Sequence, residues 1–187
     1  VATREFDNPD YVKNGPDRCF HCKTELYRLA EDKRQAWGLE VTLNGTNLDD
    51  LGDHRPGQKA AEERGARFPL VEAGLAKADI RALSKSLGLR TWDKPAAACL
   101  ASRVPYGTPV TFSTLDAVAR AESGLRRLGF AALRVRHYGD TARLEVALEQ
   151  LPLVLAEREA VVAAVKAQGY RYATLDLEGF RSGNLNG

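Results

Sequence analysis

The sequence predicts an α/β protein in which an incomplete, mostly parallel sheet domain is followed by a smaller α+β domain. Along the first hundred residues, apolar runs with helical spacing alternate with short β-prone runs, an order that favours a parallel sheet covered by helices. Glycines stop the helical runs at Gly38, Gly65 and Gly88. After a turn near residue 108 the order becomes helix, strand, strand, helix, strand, which indicates a second compact unit.

In the first domain, residues 1–108, the spacing of apolar side chains predicts helices over 24–37, 58–64 and 79–87. Residues 39–43 form a β-prone run directly after the first helix, and residues 68–70 read as the end of another strand. A helix followed by a strand is the unit from which parallel sheets are built. We therefore expect a Rossmann-like sheet domain here.

In the second domain, residues 109–187, Ser113 is the predicted N-cap of a helix that ends at Gly129. Residues 131–136 and 142–147 alternate in polarity on either side of Gly139 and Asp140. A Gly-Asp pair between two alternating runs predicts an antiparallel hairpin. A helix over 151–168 and a last strand over 171–177 complete the predicted unit.

Composition and charge limit the classes of function. The chain has 187 residues, of which 28% are charged, and its net charge is +2. Residues 1–111 carry 17 basic and 16 acidic side chains, and residues 112–187 carry 10 and 9, so neither part has the polycationic field that a nucleic-acid partner requires. No apolar run approaches the roughly 20 residues that span a bilayer, and no signal peptide is recognisable. We expect a cytoplasmic protein whose partners are neither a membrane nor a nucleic acid.

The three cysteines are the most informative side chains. Cys19 and Cys22 form a Cys-x-x-Cys pair, Cys99 stands alone, and His21 lies inside the pair, poorly placed to bind the same ion. Three thiolates on one centre would leave a coordination position open for chemistry. Because there is no fourth cysteine, an iron–sulfur cluster is favoured over zinc. The alternative is that the pair is half of a structural zinc site and Cys99 fills space.

Polar residues follow the predicted strand at 39–43. They are expected at the carboxyl edge of the sheet, where ligands bind in open α/β folds. Glycine permits close approach of a phosphate or ribose, and paired carboxylates can hold Mg²⁺. A plain surface turn explains the same residues equally well. The candidates for binding a nucleotide are Gly45, Thr46, Asn47, Asp49 and Asp50.

A second group of candidates follows the third cysteine. Arg134 and Arg136 share one face of a predicted strand, so their guanidinium groups can converge on one phosphate or carboxylate. The alternative, favoured by the pattern alone, is a row of charges facing solvent. Glu122 is either a general base or the partner of an arginine, and Arg181 lies in a glycine-flanked loop. The candidates for binding substrate are Ser102, Arg103, Arg134, Arg136 and Arg181.

Five separated segments, in order, resemble one known family. They read RCFHCK at 18–23, GTNLDDLGD at 45–53, TWDKP at 91–95, CLASR at 99–103 and GFRSG at 179–183. Together they resemble the ATP-dependent sulfurtransferase of nickel-pincer nucleotide cofactor biosynthesis, over nearly the whole chain. The resemblance implies an adenine-nucleotide-hydrolase-like domain of the PP-loop class, followed by a smaller α+β domain for substrate binding and oligomerisation.

The resemblance also implies a reaction. Members of this family adenylate a carboxylate of pyridinium-3,5-biscarboxylic acid mononucleotide and then install sulfur to make the thiocarboxylate. One branch sacrifices the sulfur of its own cysteine, and another holds a [4Fe-4S] cluster on three cysteines. The three-cysteine pattern resembles the second branch, so Cys19, Cys22 and Cys99 would be cluster ligands, with ATP and Mg²⁺ as further requirements. Relatives form hexamers, which implies a homo-oligomer.

The resemblance assigns roles to the remaining candidates. Ser102, Arg103 and Glu122 would surround the substrate together with the arginines at 134, 136 and 181, which would bind its phosphate. The Ser-Gly-Gly-x-Asp-Ser segment that grips the ATP pyrophosphate in this class does not occur in the sequence, and we expect Val1 to lie beyond it. Two other functions remain open: a tRNA-thiolating enzyme of the PP-loop class and a non-catalytic zinc-stabilised domain.

Overall fold

The computed structural model describes residues 1–52, 56–94 and 97–181. The ends of three of the family-like segments, at 53, 95 and 182–183, lie outside these ranges. The chain divides into two compact units, Val1–Ala97 and Ala98–Gly187, and residues 98–108 therefore group with the second unit. The fold is α/β, as predicted.

The first unit is helical in its described residues. Its helices are α1 (Pro9–Val12), α2 (Arg18–Ala36), α3 (Pro56–Glu63), α4 (Pro69–Glu72) and α5 (Lys77–Ser86). A small core of Tyr27, Ala60, Ala61 and Ala66, with Phe20 and Phe68 against it, joins α2 to α3. Because Phe20 packs on this core, helix α2 begins six residues before the predicted start at residue 24 and contains both Cys19 and Cys22.

The two strands predicted in the first unit do not form as strands in the described residues. The run at 39–43 is reduced to a single parallel bridge between Leu43 and Arg67. The segment at 68–70 enters helix α4 instead, because Pro69 occupies the first helical turn, a position that suits its fixed backbone angle and missing N–H. The nucleotide-hydrolase-like sheet implied by the resemblance therefore stays a prediction.

The second unit has the predicted order of elements. These are α6 (Phe112–Arg127), β1 (Leu133–Tyr138), β2 (Thr141–Val146), α7 (Leu151–Ala156), α8 (Arg158–Lys166) and β3 (Tyr172–Leu175). The sheet is small and mixed: β1 pairs antiparallel with β2, and β2 pairs parallel with β3. Two details of the prediction were wrong. The N-cap of α6 is Thr111, whose hydroxyl accepts from the Thr114 amide, and the helix predicted over 151–168 is broken at Glu157.

The hairpin divides its side chains between two environments. Leu133 and Val135 of β1, with Leu144 and Val146 of β2, enter the apolar core that α6 and α8 complete. Because successive side chains of a strand point to opposite faces, Arg134 and Arg136 lie on the other face of the sheet. The register places Arg134 opposite Glu145 and Arg136 opposite Arg143. The hairpin thus positions four charged side chains on one surface.

Candidate functional site: an arginine cluster beside the Cys99 loop

The Cys-x-x-Cys pair lies in the first turns of α2. Cys19 and Cys22 are three residues apart on a helix, a spacing that brings two side chains to one face with Cβ atoms about 5–6 Å apart. Both are partly buried and outside any disulfide. His21 instead pairs with Asp17, with 3.2 Å between Nε2 and Oδ2, and the hydrogen bond from His21 lowers the pKa of Asp17. The pair is therefore suited to one shared ligand.

The third thiol belongs to the second unit. Cys99 is exposed, is not in a disulfide, and precedes a short 3-10 turn, Leu100–Arg103. Within either unit, the described residues place no three His, Cys, Asp or Glu side chains where they could hold a metal ion together. Three thiols outside any disulfide are the donor chemistry that an iron–sulfur cluster uses.

The backbone around Cys99 is held tightly although the thiol is exposed. We call residues 98–103 the Cys99 loop. The carbonyl oxygen of Cys99 accepts from the Ser102 hydroxyl at 2.7 Å and from the Ser102 amide at 3.0 Å. Nη1 of Arg103 donates to the carbonyls of Ala98 and Cys99, at 3.1 and 3.2 Å, and to the Ser102 hydroxyl at 3.0 Å. The loop therefore has a defined conformation.

Glu122 holds Arg103 in place. Its carboxylate, almost fully buried on α6, accepts from Nε of Arg103 at 2.8 Å and from Nη2 of Arg126 at 2.9 Å. It also accepts from the backbone amide of Val135 at 3.2 Å, which satisfies a donor on β1. Of the two predicted roles, the structure shows the arginine partner. A role for Glu122 in catalysis stays a prediction.

Arg136 connects the sheet to the Cys99 loop. Its Nε and Nη2 donate to the two carboxylate oxygens of Glu145 at 2.8 and 3.1 Å, and its Nη1 donates to the carbonyl of Ser102 at 2.8 Å. Arg136 is 1% exposed and Glu145 is fully buried. Arg143 also donates to Glu145, at 3.3 Å, and lies 3.5 Å from Asp176. The carboxylate of Glu145 thus joins two arginines.

Arg134 is buried and has no ion pair among the described residues. It is 9% exposed, its guanidinium lies 4.7 Å from the centre of the Phe180 ring, and its Nη1 donates to the backbone carbonyl of Arg181 at 3.0 Å. Burial lowers the pKa of Arg134, and the positive charges of Arg136 and Arg103 lower it further. A guanidinium in this environment gains from a bound anion.

The arginine cluster, as we call this group, carries an excess of positive charge. Five guanidinium groups face three carboxylates, an excess of two charges. The expectation that Arg134 and Arg136 form a row facing solvent was wrong, because both are buried. The cations are Arg103, Arg126, Arg134, Arg136 and Arg143, and the carboxylates are Glu122, Glu145 and Asp176.

The side chain of Arg181 differs from those of the other predicted arginines in its exposure to solvent. It is exposed and pairs with Glu178, while its backbone carbonyl anchors Arg134. It therefore lies at the border of the arginine cluster, where a ligand could reach it.

The predicted nucleotide residues form a compact loop in the first unit. Asn44 accepts from both the amide and the hydroxyl of Thr46, at 2.8 Å each. The Asn47 amide donates to Asp50 at 3.1 Å, and Asp49 accepts from the Lys77 amide at the start of α5 at 2.6 Å. Gly45 has open space where a side chain would stand. The loop is ordered by its own side chains, and its binding role stays a prediction.

Four members of the arginine cluster, and Phe180 beside it, were not among the candidates from the sequence; the four are Arg126, Arg143, Glu145 and Asp176. Glu145 could have been found from the Gly139-Asp140 turn, since the hairpin register that it sets places Glu145 opposite Arg134. Phe180 gave no such signal, because its contact with Arg134 joins segments more than forty residues apart.

Comparisons with known proteins agree with the resemblance. No protein-family model matches the chain, and among the described residues no helix combines the length and apolar character that a membrane crossing needs. The chain is 44% identical to an uncharacterized protein of Synechocystis sp. over 188 residues, which cover 100% of this chain and 70% of that relative. It is 29% identical to an uncharacterized protein of Methanocaldococcus jannaschii, covering 91% of this chain and 67% of the relative.

A relative with a named activity shows the family to which the chain belongs. The chain is 40% identical over 186 residues to the pyridinium-3,5-bisthiocarboxylic acid mononucleotide synthase of Lactiplantibacillus plantarum, and the match covers 99% of this chain and 67% of that enzyme. This match confirms the family that the resemblance predicted, while the PP-loop class and the ATP dependence stay predictions. The chain belongs to the family of pyridinium-3,5-bisthiocarboxylic acid mononucleotide synthase.

Proposed function

We propose that this protein installs sulfur on a carboxylate of pyridinium-3,5-biscarboxylic acid mononucleotide, making the thiocarboxylate in a reaction that consumes ATP. The observation that carries the proposal is the excess positive charge of the arginine cluster beside the Cys99 loop. A cationic cluster next to an exposed thiol suits an anionic acceptor of sulfur. The name of the relative from Lactiplantibacillus plantarum supplies the substrate class.

Arg134 is the proposed contact for the phosphate of the mononucleotide. Its guanidinium is buried and has no carboxylate partner in the described part of the chain, so a phosphate would gain a charge-assisted hydrogen bond in a low-dielectric environment. The side chain of Arg181 stands nearby at the surface and would give a second contact. Ser102 and the remaining arginines would line the same site.

The sulfur source is proposed to be a [4Fe-4S] cluster held by Cys19, Cys22 and Cys99. When bound, the cluster would supply a sulfide nucleophile without destroying a side chain. The chain's own contribution is to present the Cys99 thiol from a loop whose carbonyls are held by Arg103. ATP and Mg²⁺ are proposed at the loop of Gly45, Thr46, Asn47, Asp49 and Asp50, where adenylation would make AMP the leaving group. The homo-oligomer implied by the resemblance is likewise a proposal.

Binding of the pyridinium mononucleotide tests the anion site directly. The Arg134→Met variant removes the guanidinium but keeps a flexible side chain of similar length, and we expect it to weaken binding by about tenfold or more, as loss of a charged hydrogen bond to phosphate implies. Isothermal titration calorimetry measures the affinity. The matched control is Arg120→Met, because Arg120 is an exposed arginine of the same unit that pairs with Asp116. Equal affinities for both variants would contradict the proposal.

Anaerobic reconstitution with iron and sulfide tests the cluster. The expected result is an iron–sulfur absorbance band that is lost in Cys19→Ala, Cys22→Ala and Cys99→Ala alike. Tight retention of zinc with no such band would favour the zinc-stabilised domain instead. A Cys19→Ala variant that still transferred one sulfur per chain would indicate that Cys99 is sacrificed.

A further inference from the structure

We infer that Glu145 is a positioning residue for the Cys99 loop and acts through Arg136. The inference deepens the proposed function and rests on it for its significance, but the contacts that carry it involve no ligand. The hairpin register places Glu145 opposite Arg134, whereas its carboxylate pairs with Arg136. The assignment comes from the direction in which its carboxylate holds the guanidinium of Arg136.

The guanidinium of Arg136 has two edges, and each has a separate partner. Its Nε and Nη2 edge meets both oxygens of Glu145, whereas Nη1 reaches the carbonyl of Ser102 at 2.8 Å. Because a guanidinium is planar and its donors are fixed relative to one another, holding one edge determines where the other points. Glu145 therefore aims Arg136 at the Cys99 loop.

Glu145 is itself held from a second side. Nη2 of Arg143 donates to the same oxygen that accepts from Arg136, at 3.3 Å, and Glu145 has no exposure to solvent. A carboxylate fixed by two arginines within the sheet is a rigid support. The Cys99 loop is thus tied to β1 and β2 by a chain of charged hydrogen bonds.

Stability alone does not account for this buried pair. Removing two charges from water carries a large desolvation penalty, and well-packed apolar residues of similar volume often stabilise a fold as well or better. The neighbouring Arg134, on the same face of the same strand, has no carboxylate partner among the described residues. The two arginines therefore differ in their partners. Arg136 binds the Cys99 loop, and Arg134 is available to bind a ligand.

Amide hydrogen exchange tests the positioning role without substrate, ATP or iron. The reporters are the amides of Ser102 and Val104, which donate to the carbonyls of Cys99 and Ala101 at 3.0 and 3.1 Å. The double variant Arg136→Met/Glu145→Met removes both charges together and avoids leaving one of them buried alone. We expect exchange at these two amides to rise about threefold to tenfold, as loss of one supporting hydrogen bond implies, with the core amides of β1 unchanged.

The controls separate positioning from general destabilisation. Arg120→Met, which removes an exposed ion pair on α6, should leave exchange at Ser102 and Val104 as in the parent protein. If the double variant does not fold, Arg136→Lys keeps a charge beside Glu145 but loses the planar fork, and the same two amides are then read in that variant. Unchanged exchange at the two amides in a folded variant overturns the inference, and so does an equal rise throughout the second unit.

The outcome is independent of the proposed reaction. If the mononucleotide fails to bind, the exchange result still decides whether Glu145 and Arg136 hold the Cys99 loop. If the amides show no change while Arg134→Met abolishes binding, the anion site stands and the positioning role is wrong.

Discussion

The buried ion pairs of the arginine cluster differ sharply from those of helix α2 in the first unit. On α2, Arg28 pairs with Glu25 and Arg34 with Glu31 at a spacing of three residues. These side chains remain partly exposed, with Arg34 at 28% and Glu31 at 34%. In the arginine cluster, by contrast, Arg136 and Glu145 are 1% and 0% exposed.

The two kinds of ion pair differ in how exposed they are to solvent. Exposed pairs one helical turn apart form from local sequence and contribute little, because water and salt screen them. Buried pairs across separate elements are kept despite their desolvation penalty. The arginine cluster therefore holds buried charge in a fixed geometry.

The sharpest test of this comparison is to remove one buried partner. Glu145→Ala leaves Arg136 buried without its carboxylate, and we expect the free energy of unfolding to fall by about 3–5 kcal/mol. Urea denaturation measures the change as a lower midpoint. The double variant Arg136→Met/Glu145→Met should recover most of the loss. A decrease below about 1 kcal/mol in Glu145→Ala, the range typical of surface pairs, would show that the pair behaves as if exposed.

A smaller effect on stability is expected when protonation of His137 adds a charge to the apolar side of the same sheet. His137 on β1 lies 3.2 Å from the Tyr170 hydroxyl through its Nδ1, and burial lowers the pKa of His137 below its usual value of 6.5. Burial also raises the pKa of Tyr170 to about 12. Both side chains are therefore neutral near pH 7.

The sign of the pH dependence follows from the lowered pKa of His137. Below pH 6.5 the unfolded chain binds a proton at this residue more readily than the folded chain does, so stability is full above pH 6.5 and falls as the pH drops toward the folded-state pKa. Melting temperatures measured from about pH 7.5 to 5.5 should therefore decrease more in the parent protein than in His137→Gln. Parallel profiles in the two proteins would contradict the prediction.

The smallest effect on stability is expected from removing an ion-pair partner on helix α2. Glu31 is held at a pKa of about 2 by hydrogen bonds from Arg34 and Gln35, yet its side chain is partly exposed to solvent, which screens the pair. Glu31→Ala should leave the urea midpoint within experimental error of the parent protein, and far above that of Glu145→Ala. A comparable loss in both variants would remove the distinction between the two kinds of pair.

Local features of the sequence predicted much of the structure of the second unit. Its order of elements, the hairpin about Gly139 and Asp140, and the shared face of Arg134 and Arg136 were all predicted, because alternation and turn chemistry act over a few residues. The first unit was predicted less well. Its strand at 39–43 became one bridge, since a strand depends on a partner that local propensity does not supply.

The sequence by itself determined the thiols, the family and the face of β1 that carries the arginines. Only the tertiary structure decided that this face is buried, that Glu145 and Glu122 hold Arg136 and Arg103, and that Arg134 has no ion pair among the described residues. The physical reason is the distance along the chain over which each effect acts. A two-residue period fixes the direction of a side chain along its own strand. Burial and ion pairing depend also on other elements, among them the Cys99 loop, whose Ser102 lies 34 residues before Arg136 in the chain.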